Sequence, residues 1–250
     1  MMGPLVALGL LASFRDRFDL VFVVSFAFAI VGLGVLLLFV QNAVPASGLA
    51  PSNATPQPFA VSARGQFRRL AGLITAAALL SLATVSDAFL YLVLQRHDGF
   101  NAALFPLLYV GTAAGYCLLA VPAGRLADRL GRRVTFLGGH AVLLLAYLMT
   151  TREQPGLLTP VLCVLSLGGY YAMTDGVLMA LASGMCGPSQ RASGMALVTT
   201  VTSAARFVAP IAFGALWTRY DATAAVYVFS FALVAAMVVA GFVLRTDSTT

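Results

Sequence analysis

Long apolar runs recur along this chain at lengths near the ~20 residues that an α-helix needs to cross a lipid bilayer. Runs such as VGLGVLLLFV and LLSLATV lack the alternation of apolar and polar positions that membrane β-strands require. The pattern therefore predicts an all-α, polytopic membrane helix bundle. The seven predicted spans are residues 20–40, 70–94, 104–123, 134–149, 157–185, 192–216 and 222–244.

Two segments depart from this pattern. The opening stretch MMGPLVALGLLASF offers only about ten apolar residues before Arg15, too few to cross a bilayer, and it resembles the last half of a helix. Between residues 41 and 67 the chain is rich in Pro, Ala, Ser, Asn and Gln, which predicts a flexible linker. The expected domains are residues 1–40, the linker at 41–67 and a six-helix bundle at 68–250.

Composition supports the membrane class. Hydrophobic residues make up 60% of the 250 positions and charged residues 10%, and the mean hydropathy is +0.92. The formal charge of +6 would suit a nucleic-acid binder. The arginines, however, are scattered over short loops, without the aromatic interleaving of single-strand binding proteins. We therefore expect no nucleic-acid partner.

The arginines instead sort by side of the membrane. The gaps at residues 64–69 and 124–133, together with Arg191 and Arg245, carry net positive charge, whereas the opposite gaps balance arginine with Asp or Glu. The positive-inside rule then places the loop at 124–133 and the carboxyl terminus in the cytoplasm. The expected protein is a multi-pass protein of the plasma (inner) membrane.

The densest charge in the chain is the stretch GRLADRLGRR at residues 124–133, between the third and fourth complete spans. This stretch resembles the cytoplasmic signature loop of the major facilitator superfamily, and PSQRASGMAL at 188–197 resembles the family's loop between helices ten and eleven. The order of helices and linker is similar to the second half of that twelve-helix family. The resemblance runs from midway in helix five to helix twelve, so one and a half helices precede the six-helix half.

By this resemblance the arginine-rich stretch is a cytoplasmic gating loop that stabilises one access state. Asp128 would be its centre, accepting from exposed N–H groups at a helix start or from an arginine. Gly124 is expected to allow close helix approach at the membrane exit, and Gly131 to permit the turn. The alternative is that the loop only determines topology. The predicted loop residues are Gly124, Asp128, Arg129, Gly131, Arg132 and Arg133.

The resemblance implies a secondary active transporter that works by alternating access on a small-molecule substrate, with protons as the expected driving ion and no cofactor. An apolar, aromatic cavity favours efflux, as in a drug antiporter, slightly over uptake. The family's first four and a half helices have no counterpart here. We therefore expect an incomplete chain that does not transport until a missing N-terminal half or a second copy completes it.

Two other functional classes compete with transport. The first is a non-transporting membrane protein, either a half-carrier remnant or a packing partner for another membrane protein. The second is an intramembrane enzyme, which is not expected because the spans contain no H-E-x-x-H motif and no nucleophile elbow. No metal site is expected either, because His97 and His140 are isolated and the cysteines show no paired spacing.

Three ionisable residues lie inside predicted spans, where each costs about 2.5 to 3.5 kcal/mol on insertion scales unless it is satisfied. They are Asp87, Asp175 and Arg206. Tyr91 and Tyr171 share a helical face with Asp87 and Asp175 respectively. By resemblance, Asp87 and Asp175 lie on the family's seventh and tenth helices, which line its cavity. These five residues are the candidates for contact with protons or substrate.

The rise of a helix places Arg206 within about 6 Å of both acids in depth. Adjacent spans favour Asp175 as its partner, with Asp87 as the second choice. The remaining acid should face an aqueous cavity and carry a proton. A purely structural ion pair that fixes helix packing is the alternative. Gly168 and Gly169 would either loosen the helix beside the cavity or pack closely against a neighbour.

Overall fold

The computed structural model describes residues 2–13, 18–39, 63–98, 105–151, 158–187 and 190–246. Within these ranges the chain folds into nine α-helices and contains no strand. The helices are α1 (Met2–Ser13), α2 (Phe18–Phe39), α3 (Ala63–Leu82), α4 (Asp87–Asp98), α5 (Phe105–Leu130), α6 (Arg132–Thr150), α7 (Leu158–Met185), α8 (Arg191–Arg219) and α9 (Ala222–Thr246).

Seven helical segments of the described chain are long and apolar enough to cross a membrane. They correspond to the seven predicted spans and confirm the all-α membrane class. One of them, Phe67–Arg96, is made by α3 and α4 together. The opening segment is also helical, but α1 has only 12 residues. At 1.5 Å per residue it is about 18 Å long, shorter than a bilayer core.

The predicted linker ends earlier than its composition indicated. Helix α3 begins at Ala63, so residues 63–67 are helical. This stretch is short of apolar residues, but alanine, arginine and glutamine are good helix formers and extend the helix beyond its apolar part. The rest of the predicted linker, from residue 41 to residue 62, lies outside the described residues.

Helix α7 is the centre of the bundle. Its most extensive contacts are with α5 and α6, while α3 packs on α8 and α9, and α6 also packs on α9. The buried core between these helices contains large side chains such as Tyr147, Tyr170 and Phe213. Helix α1 packs on α5 and α2, whereas the apolar side chains of α2 are largely exposed. The packed helices α3 to α9 therefore determine the positions of the ionisable residues Asp87, Asp175 and Arg206.

Glycine makes the contact between α5 and α7 unusually close. A Cβ atom on Gly168 would lie 2.7 Å from the backbone nitrogen of Tyr116 and 2.9 Å from Cα of Gly115. Small residues allow membrane helices to approach in this way. Helix α7 continues without interruption from Leu158 to Met185. Close packing therefore explains Gly168, and the predicted alternative of a loosened helix is wrong.

This crossing predicts the effect of a single methyl group. Gly168→Ala would force α5 and α7 apart and should lower the free energy of unfolding in detergent by about 1 to 3 kcal/mol. Gly176→Ala on the same helix is the matched control, since nothing lies within 4 Å of its Cβ position. The control should be neutral or gain up to about 1 kcal/mol from helix propensity. Equal thermal midpoints for the two variants would contradict the close crossing.

Candidate functional site

The second complete span contains a break that its apolar pattern did not predict. Helix α3 ends at Leu82 and α4 begins at Asp87, and residues 83–86 between them are not helical. The predicted span at 70–94 is therefore present, but it is made of two helices. A break inside a membrane is tolerated only where other groups satisfy the freed backbone N–H and C=O.

The Tyr147 side chain of α6 supplies those groups. Its hydroxyl accepts a hydrogen bond from the Val85 N–H at 2.7 Å and donates one to the Ala83 carbonyl at 3.1 Å. Tyr147 is fully buried. One hydroxyl thus satisfies a donor and an acceptor that the end of α3 leaves open. The Thr84 hydroxyl helps by donating to the Leu80 carbonyl at 2.8 Å.

The break determines where Asp87 lies. It puts the carboxyl in the first turn of α4, where the helix dipole favours negative charge. The preceding residue, Ser86, accepts from the N–H groups of Phe89 and Leu90 through its carbonyl and so starts the new helix. Asp87 itself accepts a hydrogen bond at 2.9 Å from the Tyr171 hydroxyl of α7. Two of the predicted site residues therefore meet across α4 and α7.

The predicted ion pair is present. Nη2 of Arg206 on α8 lies 3.7 Å from Oδ1 of Asp175 on α7, which confirms the preferred pairing. The Arg206 side chain is 42% exposed and that of Asp175 is 47% exposed, so the pair lies on an open face of the described bundle. Arg206 is also within electrostatic range of Asp87. Asp175 follows Tyr171 by one helical turn, as predicted.

A cavity of about 340 Å3 lies beside this pair. Its wall is formed by Tyr109, Thr112, Ala113 and Tyr116 of α5 and by Tyr171 and Asp175 of α7. We expected the acid without the arginine to face an aqueous cavity, but this cavity is lined by Asp175. Tyr171 lies between Asp87 and the cavity: its hydroxyl bonds to Asp87, and its side chain forms part of the cavity wall.

Tyr91 lies one layer behind the cavity. Its hydroxyl forms a 2.6 Å hydrogen bond with the Thr112 hydroxyl, and its ring stands edge-on to Tyr109 at 4.9 Å. Tyr91 is completely buried and does not line the cavity. Tyr91 therefore contacts Thr112 and Tyr109 of the cavity wall but does not contact the cavity.

His140 has a local structural partner. Its Nδ1 lies 2.9 Å from the Phe136 carbonyl of the same helix, and its ring stacks edge-on against Phe136 and Tyr170. Within the described ranges no three His, Cys, Asp or Glu residues come together to hold a metal ion. The candidate site therefore consists of tyrosines, two carboxyls and one guanidinium.

The predicted gating loop is mostly helix. Its turn is the single residue Gly131, whose φ of 93° favours glycine, between the end of α5 and the start of α6. Gly124 lies inside α5, and among the described residues a Cβ there would meet nothing within 4 Å. Its role in close helix approach stays a prediction. The helix simply continues past the apolar run. Asp128 and Arg129 are exposed in its last turn.

The two arginines after the turn are tied to the ends of other helices. Arg132 Nη1 donates to the Ala180 carbonyl of α7 at 3.0 Å, and Arg133 Nη1 donates to the Leu244 carbonyl of α9 at 2.6 Å. Leu244 lies in the last turn of α9 and Ala180 lies five residues before the end of α7, and positive charge is favourable near a helix carboxyl end. The turn is thereby attached to α7 and α9.

Comparison with known families agrees with this architecture. The family model described as Major Facilitator Superfamily matches residues 84–250. The chain belongs to the major facilitator superfamily. The match begins inside the break between α3 and α4 and extends through α9, so it includes the candidate site and the arginine-rich turn. Membership of this family means that the protein is a membrane transporter. A comparison with curated proteins finds no significant match.

Sequence reasoning missed Tyr147 and the break. The available signal was the order Thr84, Val85, Ser86, Asp87, in which two β-branched residues precede a helix-capping serine and an acid. That order marks a helix start inside an apolar run. The partner hydroxyl lies 62 positions further along the chain from Val85, and nothing in the local pattern indicates it.

The hydroxyl of Tyr147 can be tested directly. Tyr147→Phe keeps the ring but leaves a buried N–H and a buried carbonyl with one partner fewer, at a cost of about 1 to 3 kcal/mol. Amide exchange at Val85 should accelerate about tenfold or more, which corresponds to 1.4 kcal/mol. Tyr227→Phe on α9 is the control, since this side chain is 53% exposed. Unchanged exchange at Val85 in Tyr147→Phe would contradict its role in the break.

Proposed function

We propose that this protein is a proton-coupled secondary transporter of an amphiphilic, cationic small molecule, working by alternating access. The observation that carries the proposal is the grouping of two carboxyls and one guanidinium in the spans, next to a tyrosine-lined cavity. Arg206 pairs with Asp175, while Asp87 bonds to the Tyr171 hydroxyl. With Asp87 protonated the site has no net charge, and when Asp87 loses its proton the resulting charge of −1 is compensated by a bound cationic substrate.

In this proposal Asp87 is the residue that binds and releases the proton. Its carboxyl lies further inside the bundle than that of Asp175 and accepts from a neutral hydroxyl. Protonation removes the charge from the apolar span and weakens the acceptor for Tyr171. Because Tyr171 also lines the cavity, its position links the proton on Asp87 to the shape of the cavity.

The substrate class follows from the cavity wall. Tyr109, Tyr116 and Tyr171 contribute aromatic side chains, and Asp175 adds one carboxylate. Aromatic faces and a carboxylate attract an organic cation with apolar groups. Such a substrate competes with Arg206 for Asp175. Export in exchange for protons is the direction that we propose for it.

The arginine-rich turn has the role of a gate in this proposal. Exposed Asp128 and Arg129 lie in the last turn of α5, available to a second half of the transporter that would complete the open face near Arg206. The proposed location is the plasma membrane, with this turn and the carboxyl terminus in the cytoplasm. The competing function, a membrane packing partner without transport, is favoured by the same exposed ion pair.

Tetraphenylphosphonium is a suitable probe for the purified full chain in detergent. Its binding should release protons, detectable with a pH dye, because the positive charge of the probe stabilises the ionised carboxyl of Asp87. Asp87→Asn should abolish the release, and Asp175→Asn should weaken binding about tenfold, or about 1.4 kcal/mol. Asp221→Asn is the control, since its exposed carboxyl lies immediately before α9 and does not line the cavity.

Unchanged proton release in Asp87→Asn would overturn the assignment of the proton. Binding without any proton exchange in the wild-type protein would overturn the proton coupling, and absence of binding would favour the packing-partner function.

A further inference from the structure

A second and larger cavity lies away from the candidate site. It has a volume of about 970 Å3 and runs between α6 and α9, with Leu130 at the end of α5 and Leu181 of α7 completing its wall. None of the tyrosines or acids of the candidate site lines it. Its ligand is therefore a separate question from the transported substrate.

One end of this groove is cationic. Arg132 and Arg133 of α6 and Arg245 of α9 line it, and none of its described lining residues is acidic. The first turn of α6 lies at the same end, and its N-cap, Gly131, has no side chain to bond the free N–H groups. The helix dipole therefore adds to the arginine charges there.

Two of these arginines are fixed in place. Arg132 donates to the Ala180 carbonyl and Arg133 to the Leu244 carbonyl, each through Nη1. A guanidinium has five N–H donors, so both retain others for an anion. The cationic end is thus attached to α7 and α9, and an anion there would not have to order long side chains by itself.

The rest of the groove is apolar. From Val134 to Ala141 its α6 wall extends seven residues, or about 10 Å, away from the arginines. Met237 and Val238 form the facing wall on α9. The space exists partly because Gly241 carries no side chain, and a Cβ there would meet nothing within 4 Å. A ligand for the whole groove needs an anionic head and an apolar tail.

We infer that this groove binds an anionic membrane phospholipid, with its phosphate at the three arginines and the start of an acyl chain between α6 and α9. Basic pockets between spanning helices are suited to such headgroups. A free phosphate fills only the cationic end. A zwitterionic lipid brings a second, positive group toward Arg132, Arg133 and Arg245. The inference does not depend on transport.

The test measures lipid retention by the purified full chain. The protein is exchanged from detergent with phosphatidylglycerol or with phosphatidylcholine of the same acyl chains, and bound lipid is counted by native mass spectrometry. Wild-type protein should retain phosphatidylglycerol at least tenfold more strongly. The double variant R132Q/R245Q should lose this preference, whereas R125Q/R129Q, which removes the same charge from α5 outside the groove, should keep it.

Gly241→Leu tests the apolar part with every arginine intact. Its side chain would enter the groove and should reduce retention of phosphatidylglycerol about tenfold without lowering the thermal midpoint. Equal loss in R125Q/R129Q would mean a diffuse basic surface and overturn the site. Full retention in Gly241→Leu, or displacement by millimolar inorganic phosphate, would overturn the lipid as the ligand. These outcomes remain informative if R132Q/R245Q fails to fold.

Discussion

The candidate site depends on one buried hydroxyl. The backbone of a membrane span must find its hydrogen-bond partners inside the protein, so the interruption at residues 83–86 exists only because Tyr147 satisfies Val85 and Ala83. The interruption starts α4 at Asp87 and puts that carboxyl at a positive helix end. A continuous helix would give the carboxyl no such terminus, and its bond to Tyr171 follows from this placement.

The second constraint is the close contact of α5 with α7. Gly168 lets the two backbones approach, and the same pair of helices supplies every described residue that lines the small cavity. Asp175 lines the cavity and forms an ion pair with Arg206 of α8. Packing and chemistry are therefore linked, because the helix crossing that stabilises the bundle also determines the distance between the tyrosines and the ion pair.

The sequence predicts those parts of this architecture that depend on local pattern. Apolar runs predicted the seven spans, and the cost of charge in lipid identified Asp87, Asp175 and Arg206, with the pairing of the last two following from helix order. The break was missed because the segment Phe67–Arg96 as a whole is apolar enough to cross a membrane, and the partner Tyr147 is distant in the chain. The length of α5 was underestimated because its apolar run ends before the helix does.

We propose that Asp87 carries the exchangeable proton. Infrared spectroscopy of the protein across a pH titration tests it most directly, through the C=O stretching band of a protonated carboxyl. A titrating band is expected in the wild-type protein and in Asp175→Asn, and it should be absent in Asp87→Asn. A band that persists unchanged in Asp87→Asn, or that disappears only in Asp175→Asn, would contradict the claim.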